Sequence, residues 1–175
     1  MAKHVLSVLV ENYAGVLSRV AGLFSRRSFN IDSLAVGVTE NPEVSRITIV
    51  VEGDDYAVEQ VTKQLNKLIN VITVKKLESG DSVQRELALI KVNADASTRA
   101  EIMQIVEIFR AKIVDVSANT LTVEVSGDEE KVKALEDMLK QFGIKEIVRT
   151  GLIALERGEK YININNNNNN ENIEE

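Results

Sequence analysis

The 175-residue sequence has no cysteine, no tryptophan, one proline and one histidine. Without cysteine there is no disulfide, no thiolate metal site and no thiol nucleophile. The one histidine, His4, lies just ahead of an apolar run and reads as a strand-end residue. It is poorly placed for a histidine metal cluster or a Ser-His-Asp triad. Aromatic residues are only 4% while hydrophobic residues reach 44%, so any core is aliphatic, and the many Val and Ile favour strands. No apolar run approaches the roughly 20 residues of a membrane span. No secretory or Arg/Ser-rich transit segment opens the sequence. The expected location is the cytoplasm, or the plastid stroma if the chain is plastid-encoded.

Positive charge is also scarce. There are 21 Lys and Arg against 27 Asp and Glu, a net charge of −6, which argues against nucleic acid as the main partner. Catalytic signatures are missing as well: no G-x-S-x-G, no P-loop and no G-x-G-x-x-G. Carboxylates are numerous, but Asp54, Asp55, Glu59, Asp128, Glu129, Glu130 and Glu136 fall at helix starts and on polar helix faces. They read as solvated surface. Arg26-Arg27 falls in the last turn of a helix, where cations suit the dipole. An enzyme acting alone is therefore disfavoured.

What is present is a repeated pattern. Lys3 to Val10 (KHVLSVLV) has the length of a buried strand. A glycine turn and a helix follow. Ile31 to Val38 alternates loosely, with Leu34, Val36 and Val38 on one face, and the turn Thr39 to Glu43 leads into a strand at Val44 to Val51. Gly53-Asp54 breaks that strand, and Asp54 is placed to cap a helix with a stripe of Val58, Val61, Leu65 and Leu68. Val71 to Leu77 is a fourth strand. After polar Glu78 to Ser82 the order recurs, beginning with a strand at Arg85 to Val92. Next comes a helix with Thr98 and Glu101 spaced as a capping box and Ile102, Ile105, Val106 and Phe109 on its apolar face. Lys112 to Val116 and Leu121 to Val125 form a hairpin. Gly127-Asp128 opens a helix carrying Val132, Leu135, Met138 and Leu139, and Ile144 to Val148 closes the unit.

The two halves correspond, as Val51-Glu52-Gly53-Asp54-Asp55 and Val125-Ser126-Gly127-Asp128-Glu129 illustrate. The fold class is α+β: two tandem ferredoxin-like βαββαβ units with antiparallel sheets. The expected limits are residues 1–78 and 85–160, joined by a linker at 79–84. An Asn-rich tail, 161–175, has almost nothing to bury and is expected to be disordered. The strands are apolar along much of their length, so both sheet faces are buried or sheet edges pair between chains. A homodimer is the simplest such assembly. The alternative is that the two units cover each other within one chain.

One stretch carries the candidate chemistry: Glu11 to Ile31, ENYAGVLSRVAGLFSRRSFNI. Val16, Val20, Leu23 and Phe24 recur at helical spacing, and Leu17 and Ala21 widen the stripe. Gly15 stands at the helix start, where N–H groups lack partners and a ligand can approach closely. Asn12 lies before the helix and Asn30 after it. Such a helix start can hold a small carboxylate. The plainer reading is that Gly15 only shapes a turn and Asn30 only ends a helix. The second copy bears on this choice. At the equivalent places it has Asn93-Ala94-Asp95-Ala96-Ser97 and Arg110-Ala111-Lys112, with neither glycine nor a matching asparagine. If those residues were only folding devices, the second copy would have kept them, so the contrast favours a ligand.

Asn12-Tyr13-Ala14-Gly15-Val16-Leu17-Ser18-Arg19-Val20 resembles the ligand turn of ACT domains, which bind amino acids in metabolic regulators. Six further segments narrow the likeness: Gly22 to Arg27 with Asn30 to Leu34, Ser45 to Thr48, Lys63 to Leu68, Arg85 to Val92, Glu107 to Arg110 and Arg149 to Gly151. Together they are similar to the small regulatory subunits of acetohydroxyacid synthase (acetolactate synthase), from about Lys3 to Lys160. The resemblance implies an N-terminal ACT domain and a non-catalytic chain. It implies a large catalytic subunit as partner, holding thiamine diphosphate, a divalent metal (Mg2+) and FAD, with no cofactor in this chain. It also implies activation of that partner and feedback inhibition by valine in branched-chain amino-acid synthesis. Valine would lie between paired ACT domains, with Asn12, Gly15, Val16 and Leu17 from one protomer and Asn30 and Ile31 from the facing one. A free-standing amino-acid sensor acting on another partner is the alternative.

Overall fold

The computed structural model describes residues 2–27 and 29–164. Most of the Asn-rich tail, from 165 on, lies outside the described residues. The described residues form two compact units: those up to Val83 together with those from Ala154 on, and residues 84–153.

The first unit runs β1 (Ala2–Glu11), α1 (Val16–Arg26), β2 (Ile31–Val38), β3 (Val44–Gly53), α2 (Asp55–Asn66) and β4 (Val71–Leu77). Its antiparallel sheet has the order β2-β3-β1-β4, the expected βαββαβ arrangement. The pairings Val8↔Ile47 and Leu6↔Ile49 put those residues on one face of the sheet. There they pack with Val16, Val20, Leu23 and Phe24 of α1 and with Val58, Val61 and Leu65 of α2. Burying each such side chain is worth about 1.5–3 kcal/mol. Phe24 also meets Phe29 edge to face, ring centres 6.5 Å apart. The opposite face is buried too, at Ser7, Leu9, Thr48 and Val50. That is why β1 reads as a continuous apolar run. On the same face Arg46 donates to the Ser7 hydroxyl at 2.8 Å. Desolvation holds its guanidinium pKa below the usual arginine value, against the opposing pull of Glu40 and Glu156.

The second unit follows with β5 (Ser82–Asn93), α3 (Arg99–Ile108), β6 (Lys112–Val116), β7 (Thr120–Gly127), α4 (Glu129–Leu139) and β8 (Ile144–Arg149). Its sheet has the order β6-β7-β5-β8, and a short β9 (Ile153–Glu156) pairs with β5. Ala88, Ile90 and Val92 meet Ile102, Ile105, Leu135 and Leu139 in its core. From Ala154 the chain returns to the first unit. There Lys75 Nζ lies 2.7 Å from Glu156 Oε1, and the Arg157 amide donates to the Asp81 carbonyl at 2.8 Å. A fifth strand at this point was not expected from the sequence, which reads there only as an apolar-to-charged extension.

Several expectations are corrected. Leu17 is 42% exposed and Met138 45% exposed, so neither belongs to a buried stripe. The neighbouring Val16 is buried, so it takes the core-facing side of the helix start and Leu17 lies beside it at the surface. Leu68 lies beyond the end of α2 and is half-buried. On β2 Ile31 and Leu34 pack against the core, whereas Val36 and Val38 stay exposed along the sheet edge. Thr98 and Glu101 form no capping box: Thr98 makes no side-chain cap, because its hydroxyl is turned back to the Asp95 amide and carboxylate, both at 3.2 Å, and Asp95 Oδ1 accepts from the Ser97 and Thr98 amides at 2.8 and 3.0 Å. These bonds keep the Asp95 carboxyl below its usual pKa, the Ser97 hydroxyl contributing most.

Asp54 and Asp128 do cap, accepting from the amides of Ala57 at 2.7 Å and Lys131 at 2.9 Å. Asp128→Ala is expected to destabilise the second unit by about 1 kcal/mol. Urea unfolding checks this, and a midpoint equal to that of the parent chain would refute it.

Candidate functional site

The candidate site lies where β1 hands over to α1. Glu11 closes the strand, and Asn12-Tyr13-Ala14 crosses to Gly15, the N-cap of α1, whose φ of 87° is left-handed. Glycine takes that backbone without a Cβ clash, whereas other L-residues are strained there. The conformation turns the chain sharply into the helix. No side chain caps α1, and its first turn contains no acidic residue. The Val16 amide reaches the Tyr13 carbonyl at 3.4 Å, and the Leu17 and Ser18 amides that follow have no capping side chain and are open to a partner from outside the helix. A Cβ at Gly15 would meet nothing within 4 Å, so the approach to those groups is open.

Two of the other three helices differ. Asp54 and Asp128 fill the equivalent place on α2 and α4. α3 has no side-chain cap either, but Asp95, three residues before its N-cap Thr98, ties down the turn ahead of it by accepting from the Ser97 and Thr98 amides. Arg99 then closes the second unit's version of the turn, donating to the carbonyls of Ser117 and Ala118 at 2.7 and 2.9 Å. In the second unit this junction is closed by its own side chains. In the first unit it is open and carries the positive end of the helix dipole. That is the electrostatics needed to hold a carboxylate.

The residues singled out from sequence are placed unevenly. Asn12, Gly15, Val16 and Leu17 gather at this junction. Val16 is buried beneath it and Leu17 is exposed beside it. The Asn12 amide nitrogen donates to the Pro42 carbonyl at 3.0 Å, fixing the loop into β3. Asn30 and Ile31 lie at the other end of α1. Ile31 pairs with Val51, which stands opposite His4. Seven residues of β1 separate His4 from Glu11, a span of about 23 Å. Within one chain, then, the structure does not bring Asn30 and Ile31 to Gly15. A groove of about 450 Å³ borders Glu11, Asn12, Tyr13, Asn41, Pro42 and Val44, but it reaches neither Gly15 nor Leu17.

Sequence reasoning missed the polar residues that brace the turn. Arg19 Nη1 donates to Asn70 Oδ1 at 2.5 Å, and Asn70 Nδ2 donates to Glu11 Oε2 at 2.6 Å. The Glu11 amide donates to the Asn70 carbonyl at 2.9 Å. Asn70 is far from the turn in sequence, and no local pattern points to it. Among the described residues no group of three or more His, Cys, Asp or Glu is placed to hold a metal, and no helix is long and apolar enough to cross a membrane.

Residues 6–73 match the family model for the ACT domain of acetohydroxyacid synthase small subunits, and residues 85–158 match that for the small subunit of acetolactate synthase. A probable acetolactate synthase small subunit from Archaeoglobus fulgidus is 58% identical over 158 residues, covering 90% of this chain and 99% of the relative. The acetolactate synthase small subunit of Mycolicibacterium smegmatis is 57% identical over 159 residues, covering 91% and 94%. Among solved structures, the acetolactate synthase small subunit from Thermotoga maritima superposes with a TM-score of 0.85 at 44% identity, covering 91% of this chain and all of that one.

Proposed function

The chain belongs to the family of acetolactate synthase small subunits, which are regulatory subunits, and from that premise we propose that it senses valine and sets the activity of a large catalytic subunit. The observation that carries this reading is the uncapped start of α1 at Gly15. The ligand carboxylate takes the free N–H groups there, and the Asn12 side-chain oxygen or Asn30 accepts from its ammonium. The isopropyl group lies against aliphatic side chains, worth about 1.5–3 kcal/mol if fully buried. A pocket of this kind separates aliphatic side chains differing by one methylene by only about 1–3 kcal/mol, so leucine and isoleucine act as weaker effectors.

The second half of the site comes from a second copy. β2 is an edge strand, with no proline between Ile31 and Val38 and with Val36 and Val38 exposed. Antiparallel pairing of β2 with its copy extends the sheet across a two-fold axis. The start of one β2 then lies beside the end of the other. The end of β2 pairs at Ser45, which also faces Val10 next to the ligand turn. The partner's Asn30 and Ile31 are thereby carried to the Gly15 end of the sheet. A site shared in this way couples ligand to dimer arrangement, by about 1–3 kcal/mol for a typical allosteric effector. Thiamine diphosphate, Mg2+ and FAD reside in the catalytic partner in this reading, and this chain takes none of them.

Calorimetric titration of the full chain with valine, leucine and isoleucine tests the proposal. Saturable binding strongest for valine, at one site per protomer, is the expected result. Binding of some other amino acid, with no effect on a co-purifying thiamine-diphosphate enzyme, would instead make the chain a free-standing sensor.

A further inference from the structure

We propose that Asn70 is a positioning residue for the effector turn, acting through Arg19 and Glu11. The inference rests on the reading of the Gly15 turn as the valine site. Asn70 precedes β4, on the opposite edge of the sheet from β2. Its side-chain oxygen receives Arg19 Nη1 and its side-chain nitrogen donates to Glu11 Oε2, while its carbonyl receives the Glu11 amide. Arg19 is itself hydrogen-bonded through its amide to the Gly15 carbonyl, at 3.1 Å. The bonds close a ring: Gly15, Arg19, Asn70, Glu11, then back through Asn12 to Gly15. The turn from Asn12 to Gly15 is spanned by this ring.

The position of the ring matters as well as its closure. The β1–β4 register shifts between Leu9 and Val10, next to the point where Asn70 grips the strand end. A bulge leaves strand ends able to pivot. With Asn70 in place, the end of β1 and the first turn of α1 keep one angle. Without it, both are anchored by backbone contacts, by the Asn12–Pro42 bond and by the packing of Val10 and Val16 in the core, none of which fixes the polar side of the turn. The turn then has to be reordered by the ligand, and affinity falls by that amount.

The ring has two arms that can be broken and rebuilt separately. Asn70→Leu removes both. Arg19→Ala removes one, on the surface, where the chain has little to lose in folding. Glu11→Gln keeps an acceptor for Asn70 Nδ2. Asn70→Asp keeps the Arg19 arm but sets a carboxylate against Glu11. Asn70→Asp combined with Glu11→Gln restores that second arm with donor and acceptor exchanged.

Valine titration of the full-length variants by calorimetry reads the effect, with thermal unfolding alongside. Asn70→Leu and Arg19→Ala are each expected to weaken valine binding about five- to tenfold, the worth of one or two such bonds. Glu11→Gln should stay within about twofold of the parent chain. Asn70→Asp should weaken binding, and adding Glu11→Gln should bring it back. Arg19→Ala added to Asn70→Leu should cause no further loss, because the ring is already open. A purely structural role would lower the melting temperature without this rescue or this non-additivity. Parent-like valine binding by both Asn70→Leu and Arg19→Ala, with Gly15→Asp failing to bind, overturns the positioning role alone. No valine binding by the parent chain, or full binding by Gly15→Asp, overturns the site reading and this inference with it.

Discussion

Gly15→Asp is expected to weaken valine binding at least about a hundredfold, roughly 2.7 kcal/mol, and to leave activation of the catalytic partner intact. The chain should still fold. The added Cβ enters open space. The left-handed φ of 87° costs a non-glycine residue about 1–2 kcal/mol. A carboxylate at the N-cap returns about 0.5–2 kcal/mol by accepting from the first amides of the helix. It therefore takes the hydrogen bonds that the carboxylate of valine needs, and repels that carboxylate as well. The variant becomes its own occupant of the site, much as Asp54 and Asp128 already cap α2 and α4. Gly15→Ala separates the causes. It suffers the same backbone strain but leaves the amides open, so its response to valine should fall between the two. Calorimetry and inhibition curves with the reconstituted enzyme measure both variants. Inhibition of Gly15→Asp at the valine concentrations that inhibit the parent would sink the assignment.

That candidate site is legible in the sequence because it rests on a local contrast. Gly15 opens the turn into α1 in one repeat, Asp95 ties down the turn into α3 in the other, and both are visible as letters. The buried stripes of the helices were visible for a similar reason. Val16, Val20, Leu23 and Phe24 repeat at the helical period, and all four are buried. Periodicity does not say how wide the buried stripe is: Val16 and Leu139 are buried while their neighbours are not. Leu17 and Met138 fit their stripes by spacing and are exposed. A capping box at Thr98 and Glu101 fits those four residues by spacing, but Asp95, three residues earlier, takes both the Thr98 amide and the Thr98 hydroxyl. Asn70 and Glu156 left no trace at all. Their partners are set by which strands lie side by side, and nothing within a ten-residue window records that. The return of the chain to the first unit at Ala154 is of this kind, since four residues of β9 are too few to show a period.

The same return creates the stability prediction with the largest effect. The Glu156 side chain is only 8% exposed, while its partner Lys75 is 46% exposed. Oε1 meets the Lys75 ammonium, and Oε2 is buried without a hydrogen-bond partner among the described residues. A carboxylate so placed is tolerated because cations stand near it. Lys75 is in contact, and Arg46 is close enough for the two charges to act on each other. Lys75→Met keeps the aliphatic stem and removes the nearer charge. Deleting one member of a fully buried pair costs about 3–5 kcal/mol, because the other is left uncompensated. The exposure of Lys75 lets water screen the pair, and Arg46 remains, so about 2–3 kcal/mol is expected here. Glu156→Gln removes the buried charge itself and should cost clearly less, about 1 kcal/mol. The double variant should then be no less stable than Glu156→Gln alone, since Lys75 has nothing left to neutralise. Urea unfolding of the three chains ranks them. A Lys75→Met chain as stable as Glu156→Gln would mean that the pair is an ordinary surface contact, and that the segment after Ala154 is held to the first unit by its backbone and apolar contacts instead.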